Sequence, residues 1–211
     1  MKEYTYNGYA EKYDMSGVIQ MGTGTFCVHD IFDPTPDFMK RADVIFTDPP
    51  GSTALLNGFY SKAGKAPHAE SYAAFLGRLF EVIAEIDPAF LYVEAFKFNL
   101  ESIERELRSR FPFVQVNTNT YYKKAENRCW IIAGGKTALP DIQIDGIDEE
   151  AAIEKICSCG AFGCIGDPCM GKGLVGYYAN AAGKPFVGTE LNKNRLAVLC
   201  DRLEHGRGRM N

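Results

Sequence analysis

The chain has 211 residues, 46% hydrophobic and 24% charged, with a formal net charge of −4. These are the proportions of an ordinary globular protein, and the length suits one α/β domain over residues 1–211. The mild acidic balance argues against a broad polyanion-binding surface, so any contact with nucleic acid needs a local basic patch. No apolar run approaches bilayer-spanning length, and the polar, aromatic start does not read as a signal peptide. A cytoplasmic chain with no membrane partner and with its seven cysteines reduced is therefore expected.

Short apolar runs alternate with helical patterns, which predicts a mostly parallel sheet covered on both faces. Residues 25–29 form the first predicted strand, ending at Asp30, and residues 43–47 the second, ending at Asp48. A Gly/Ser/Lys-rich loop is expected over 51–68. Tyr72, Phe75, Leu76, Leu79, Phe80 and Ile83 recur at helical spacing, so residues 71–86 read as a helix, which Asp87 ends because Pro88 follows it. Residues 90–93 are the third strand, with Glu94 at its carboxyl end, and Asn99 caps a helix running to Arg110. Residues 113–121 and 128–133 alternate as strands, and the polar turn 123–127 makes them an antiparallel hairpin. An acidic linker follows over 139–148, then a helix over 149–156 and a short strand over 163–166. A glycine-rich turn opens a helix over 172–182. The last strand, 185–188, leads to Glu190, and a final helix covers 192–205. The expected sheet has about seven strands.

Two strand ends carry chemistry. Asp167-Pro168-Cys169-Met170-Gly171-Lys172-Gly173 follows a short strand and opens a helix. Its glycines let the backbone turn tightly and approach a ligand, and the helix start offers free N–H groups. Glu190 ends the next strand, where a nucleotide fold places a ribose-binding acid. Asp48-Pro49-Pro50-Gly51 ends another strand. The prolines remove two N–H donors, so carbonyls and the Asp48 carboxylate form an acceptor-only cluster suited to an amino group. Taken alone, Asp-Pro-Pro is a common turn.

Together these strings resemble the amino-directed (N6-adenine/N4-cytosine) DNA methyltransferases. Asp48-Pro49-Pro50 is similar to their catalytic motif. The 167–173 string, with Gly188-Thr189-Glu190-Leu191-Asn192, is similar to their cofactor motif and acidic strand. The catalytic motif comes first, as in the family's permuted, beta-type group. The resemblance spans residues 25–203. It implies a circularly permuted, Rossmann-like class I methyltransferase fold with helices on both faces of the sheet, and S-adenosyl-L-methionine as cofactor. DNA is the implied substrate, with adenine or cytosine as the target base. Asp48, Pro49, Pro50 and Gly51 become the catalytic loop. Asp30, Asp167, Pro168, Cys169, Met170, Gly171, Gly173, Glu190 and Asn192 become the cofactor site.

Three departures stand out. Gly51 occupies the position where the family has a ring that stacks on a flipped base, and Phe59 or Tyr60 is expected to substitute. A His-Pro-Thr-Gln-Lys-Pro-like segment is missing from 144–156. No separate target-recognition module fits between the hairpin and the cofactor strand, which suggests a homodimer or a partner that supplies recognition. Lys62, Lys65, Lys123 and Lys124 are expected to hold phosphates around the site. Cys157, Cys159, Cys164 and Cys169 lack a Cys-x-x-Cys pair, so buried thiols are expected and no metal. Two other readings stay open at this point: a catalytically degenerate cofactor-binding subunit, and a methyltransferase of RNA or of a small amino-bearing molecule.

Overall fold

The structure is a computed structural model that describes residues 6–66 and 71–206. His68 lies outside the described residues. Eight strands are present: β1 (Val18–Met21), β2 (Gly24–Val28), β3 (Val44–Thr47), β4 (Phe90–Ala95), β5 (Phe113–Tyr121), β6 (Lys124–Gly135), β7 (Ile165–Asp167) and β8 (Phe186–Glu190). Among the described residues they form one mixed sheet in the order β1-β2-β8-β7-β3-β4-β6-β5. Neighbours from β2 through β8, β7 and β3 to β4 are parallel. β1 runs antiparallel to β2, and β6 runs antiparallel to both β4 and β5.

The helices are α1 (Thr53–Lys62), α2 (Tyr72–Ile86), α3 (Leu100–Arg110), α4 (Glu149–Ser158), α5 (Leu174–Ala181) and α6 (Lys193–His205). Strand periodicity divides the core between them. Ile45, Leu91, Val93 and Ala95 face one way and pack with Leu56, Leu79, Phe80, Ile103 and Leu107 of α1, α2 and α3. Val44, Phe46 and Tyr92 alternate to the other face, against Ile153, Ile156, Val175, Leu196 and Leu199 of α4, α5 and α6. Burying each such side chain contributes roughly 1.5–3 kcal/mol. Among the described residues no helix is long and apolar enough to cross a membrane.

Four expectations are corrected. The sheet has eight strands rather than seven, because β1 folds back onto β2 through a turn at Gly22. Its residues are exposed or half-buried in alternation, so no buried apolar run announces it. The stretch after Asp48 is not all loop. Ser52 accepts a hydrogen bond from the Leu55 N–H, and Leu56 and Tyr60, one turn apart, bury the inner face of α1. The hairpin turn is shorter than expected: Tyr122 and Lys123 lie at φ 59° and 56°, and β6 begins directly at Lys124. Asn99 stands at the start of α3, but its carboxamide accepts from the Phe96 N–H (2.6 Å) instead of from a helical N–H.

Candidate active site

The parallel strands share a direction, so Asp30, Asp48, Asp167 and Glu190 emerge at one edge of the sheet. The chain leaves β7 toward β8 on one side and β3 toward β4 on the other. The crevice between the carboxyl ends of β7 and β3 is the switch point where open α/β sheets bind ligands.

On the β7 side, a network of hydrogen bonds shapes the glycine turn. The Cys169 N–H donates to Asp167 Oδ1 (2.9 Å), and the Met170 N–H donates to the Thr189 carbonyl (2.9 Å). Thr189 Oγ1 donates to the Pro168 carbonyl (2.9 Å). Gly171 and Gly173 lie at φ 56° and 73°, in the left-handed region. A Cβ on Gly171 would fall 2.7 Å from the Arg195 guanidinium. The buried Glu190 carboxylate accepts from the Gly171 N–H (2.7 Å) and the Asn192 N–H (3.0 Å). Asn192 in turn caps α6 by accepting from the N–H groups of Asn194 and Arg195. Met170 is buried in the core beneath the turn.

On the β3 side, Asp48 is exposed while Pro49 behind it is buried. Two clefts meet at this carboxylate. The larger, ≈ 290 Å³, is lined by Asp30, Asp48, Pro49, Pro50, Gly51, Phe59, Tyr60, Pro168, Cys169 and Glu190, among others. The smaller, ≈ 180 Å³, is lined by Asp48, Glu94, Glu149, Asp167, Met170, Gly171 and Lys172, among others. Asp48, Tyr121, Cys169 and Arg195 belong to both walls. Burial drives the Asp167 carboxyl up to about 8. The Cys169 N–H opposes that shift, and the Asp48 and Glu190 carboxylates add to it. Burial also holds the Cys169 thiol well above its ordinary range. The Tyr121 phenol is pushed up, first by burial and then by Asp48.

Phe59 and Tyr60 both reach the larger cleft, in different roles. Tyr60 is buried and donates its hydroxyl to Asp30 Oδ1 (2.7 Å). The Phe59 ring carries the Arg195 guanidinium 4.4 Å from its centroid and the Lys62 ammonium 5.8 Å from it. Lys65 lies 3.9 Å from Asp30. Lys123 and Lys124 are exposed at the hairpin tip. Sequence reasoning missed Arg195, Phe96 and Tyr121, which line the larger cleft. The signal available for the aromatic residues was their place just past a parallel strand or beside the hairpin turn, on the carboxyl edge.

No family model matches the chain, and no curated protein matches it. Solved structures share its fold. M1.HpyAVI in complex with SAM superposes with a TM-score of 0.60 at 15% identity, over 84% of this chain and 98% of its own. A Thermus thermophilus protein assigned as a DNA modification methylase, complexed with S-adenosyl-L-methionine, gives 0.56 at 17% identity, over 84% and 93%. The PvuII DNA methyltransferase, cytosine-N4-specific, gives 0.52 at 11% identity, over 92% of each chain. At these identities the likeness establishes the fold, and chemistry has to be argued from the site.

Proposed function

We propose that the chain is an S-adenosyl-L-methionine-dependent DNA methyltransferase. Its acceptor is the exocyclic amino group of adenine, with cytosine offering the same amino geometry. One observation carries this reading: a proline-stiffened loop that begins at Asp48 and a glycine turn flanked by Asp167 and Glu190 line joined clefts at one sheet edge. The shared fold with M1.HpyAVI, solved with SAM, and with the PvuII enzyme supports it. The chain order, Asp48 before Asp167, supports the permuted arrangement of the beta-type group. We read residues 1–211 as one catalytic domain with no recognition module inserted between β6 and β7, so that site preference is short or comes from elsewhere, such as a partner or a second copy.

The residues fit the cofactor. A carboxylate offers about four lone-pair sites, and backbone N–H groups use two of those on Glu190, which leaves capacity for ribose hydroxyls. Asp30, steadied by Tyr60, faces the same cleft. With no side chain, Gly171 lets the Arg195 guanidinium pack directly on the turn, where a Cβ would fall 2.7 Å from it. When bound, the cofactor supplies a sulfonium-activated methyl group.

The protein's own part is positioning. Asp48 and the Pro49 carbonyl accept the amino hydrogens of the base, which turns the nitrogen lone pair toward the glycine turn. Pro49 and Pro50 offer no competing N–H. Holding both reactants in this arrangement contributes on the order of 7–11 kcal/mol. Replacing Asp48 by Ala should leave calorimetric binding of S-adenosylhomocysteine intact and lower methyl transfer about 10²–10⁴-fold. Equal transfer by Asp48→Ala removes the residue from its role, and no heat with either form of the cofactor ends the reading. Direct calling of modified bases in DNA from expressing cells separates adenine from cytosine.

A further inference from the structure

We propose that Phe98, backed by Phe96, is the ring on which the planar acceptor base stacks beside Asp48, a role that rests on the function proposed above. Phe98 is 62% exposed. Its ring lies parallel to that of Phe96, with centroids 6.2 Å apart and planes 7° apart. Phe96 meets Tyr121 edge-on at 5.6 Å, and both of those rings line the larger cleft with Asp48.

The catalytic loop is shaped to receive this ring pair. A Cβ on Gly51 would fall 2.6 Å from Phe98 Cζ and 3.6 Å from Phe96 Cδ2. Phe98 therefore sits directly on the Asp-Pro-Pro-Gly loop because residue 51 has no side chain. Hydrogen bonds of Asn99 tie down the turn that carries it. The buried Asn99 accepts from the Phe96 N–H (2.6 Å) and donates to the Tyr72 hydroxyl (2.8 Å).

Phe59 and Tyr60 are poorer candidates. The face of Phe59 is covered by the Arg195 guanidinium, and Tyr60 is buried with its hydroxyl on Asp30. A single exposed aromatic is ordinary on a protein surface. Among the described residues, however, five large hydrophobics are exposed: Leu55 lines the larger cleft, Tyr122 lines the smaller, and Phe98 packs against Gly51 of the larger cleft's wall. A planar, pre-ordered, water-exposed ring beside a hydrogen-bond-accepting carboxylate suits a flat heterocycle bearing an amino group. Such stacking tolerates any base, because every base has a π face.

The test uses Phe98→Ala, Phe98→Trp and the double change Gly51→Tyr with Phe98→Ala. Fluorescence anisotropy with a labelled mixed-sequence single-stranded DNA, without cofactor, gives a readout independent of turnover. Phe98→Ala should weaken that binding and raise KM for DNA by about ten- to a hundredfold, while the Kd for S-adenosylhomocysteine stays unchanged. Phe98→Trp should keep both values near wild type. The double change should recover much of the loss, since the vacated space admits a ring from position 51. Exposure of Phe98 keeps the melting temperature of these variants a fair control. Wild-type KM in Phe98→Ala overturns the stacking role alone. A wild-type chain that binds the cofactor product yet methylates no DNA overturns the proposed function and this role with it.

Discussion

Asp167 illustrates how a single buried carboxyl couples the site to the fold. In the folded chain it holds its proton up to about pH 8, whereas its ordinary value is 3.8. Between these values the native state binds more protons than the unfolded state, so stability falls as pH rises through the interval and levels off above it. Asp167→Asn keeps an oxygen for the Cys169 N–H and removes the titration. Thermal melts should therefore show the variant little changed near pH 4 and more stable than wild type at pH 8.5. A wild-type melting temperature equally insensitive to pH would refute this account of the residue. In the function proposed above, a cationic sulfonium bound nearby would compensate a carboxylate that the fold by itself disfavours.

At the scale of elements, the glycine turn is tightly constrained. Gly173 lies at φ 73°, and a Cβ there would fall 2.5 Å from the Cβ of Leu199 in α6. Gly173→Ala should destabilise the fold by about 1–3 kcal/mol, read as a lower urea midpoint with an unchanged slope. The parallel core was legible in the sequence because its strands are buried apolar runs with an acid at or near the carboxyl end: Asp48 follows β3, Asp167 and Glu190 end β7 and β8, and Asp30 lies two residues past β2, whereas Glu94, expected past its strand, lies within β4, which runs on to Ala95. β1 was not legible, since its alternation is weak and one side faces water. α1 was hidden by its polar, glycine-containing composition and becomes visible only through the Ser52 cap and the burial of Leu56 and Tyr60. The hairpin tip misled because Tyr122 and Lys123 adopt left-handed backbone usually left to Asn and Gly. The contacts of Phe98 with Gly51 and of Arg195 in α6 with Phe59 in α1 join segments distant in sequence, which no local pattern encodes.

For the whole molecule, a net charge of −4 means that the general field does not attract DNA. Lys62 and Lys65 at the end of α1 and Lys123 and Lys124 at the hairpin tip put cations on the margins of an otherwise acidic body. The two clefts are also mechanically one unit. The chain runs from Asp48 through Gly51 straight into α1, whose Leu56, Phe59 and Tyr60 wall the larger cleft, and Arg195 ties that helix to α6. In the function proposed above, the segment that would steer the acceptor nitrogen is continuous with the helix walling the larger cleft, so seating of the two guests is expected to be coupled. Thermodynamic reciprocity makes this quantitative. Whatever the factor by which an oligonucleotide changes the affinity for S-adenosylhomocysteine, S-adenosylhomocysteine must change the affinity for the oligonucleotide by the same factor. Titrations around that closed cycle should return a factor different from one, and a factor of one would show that the shared helix transmits nothing.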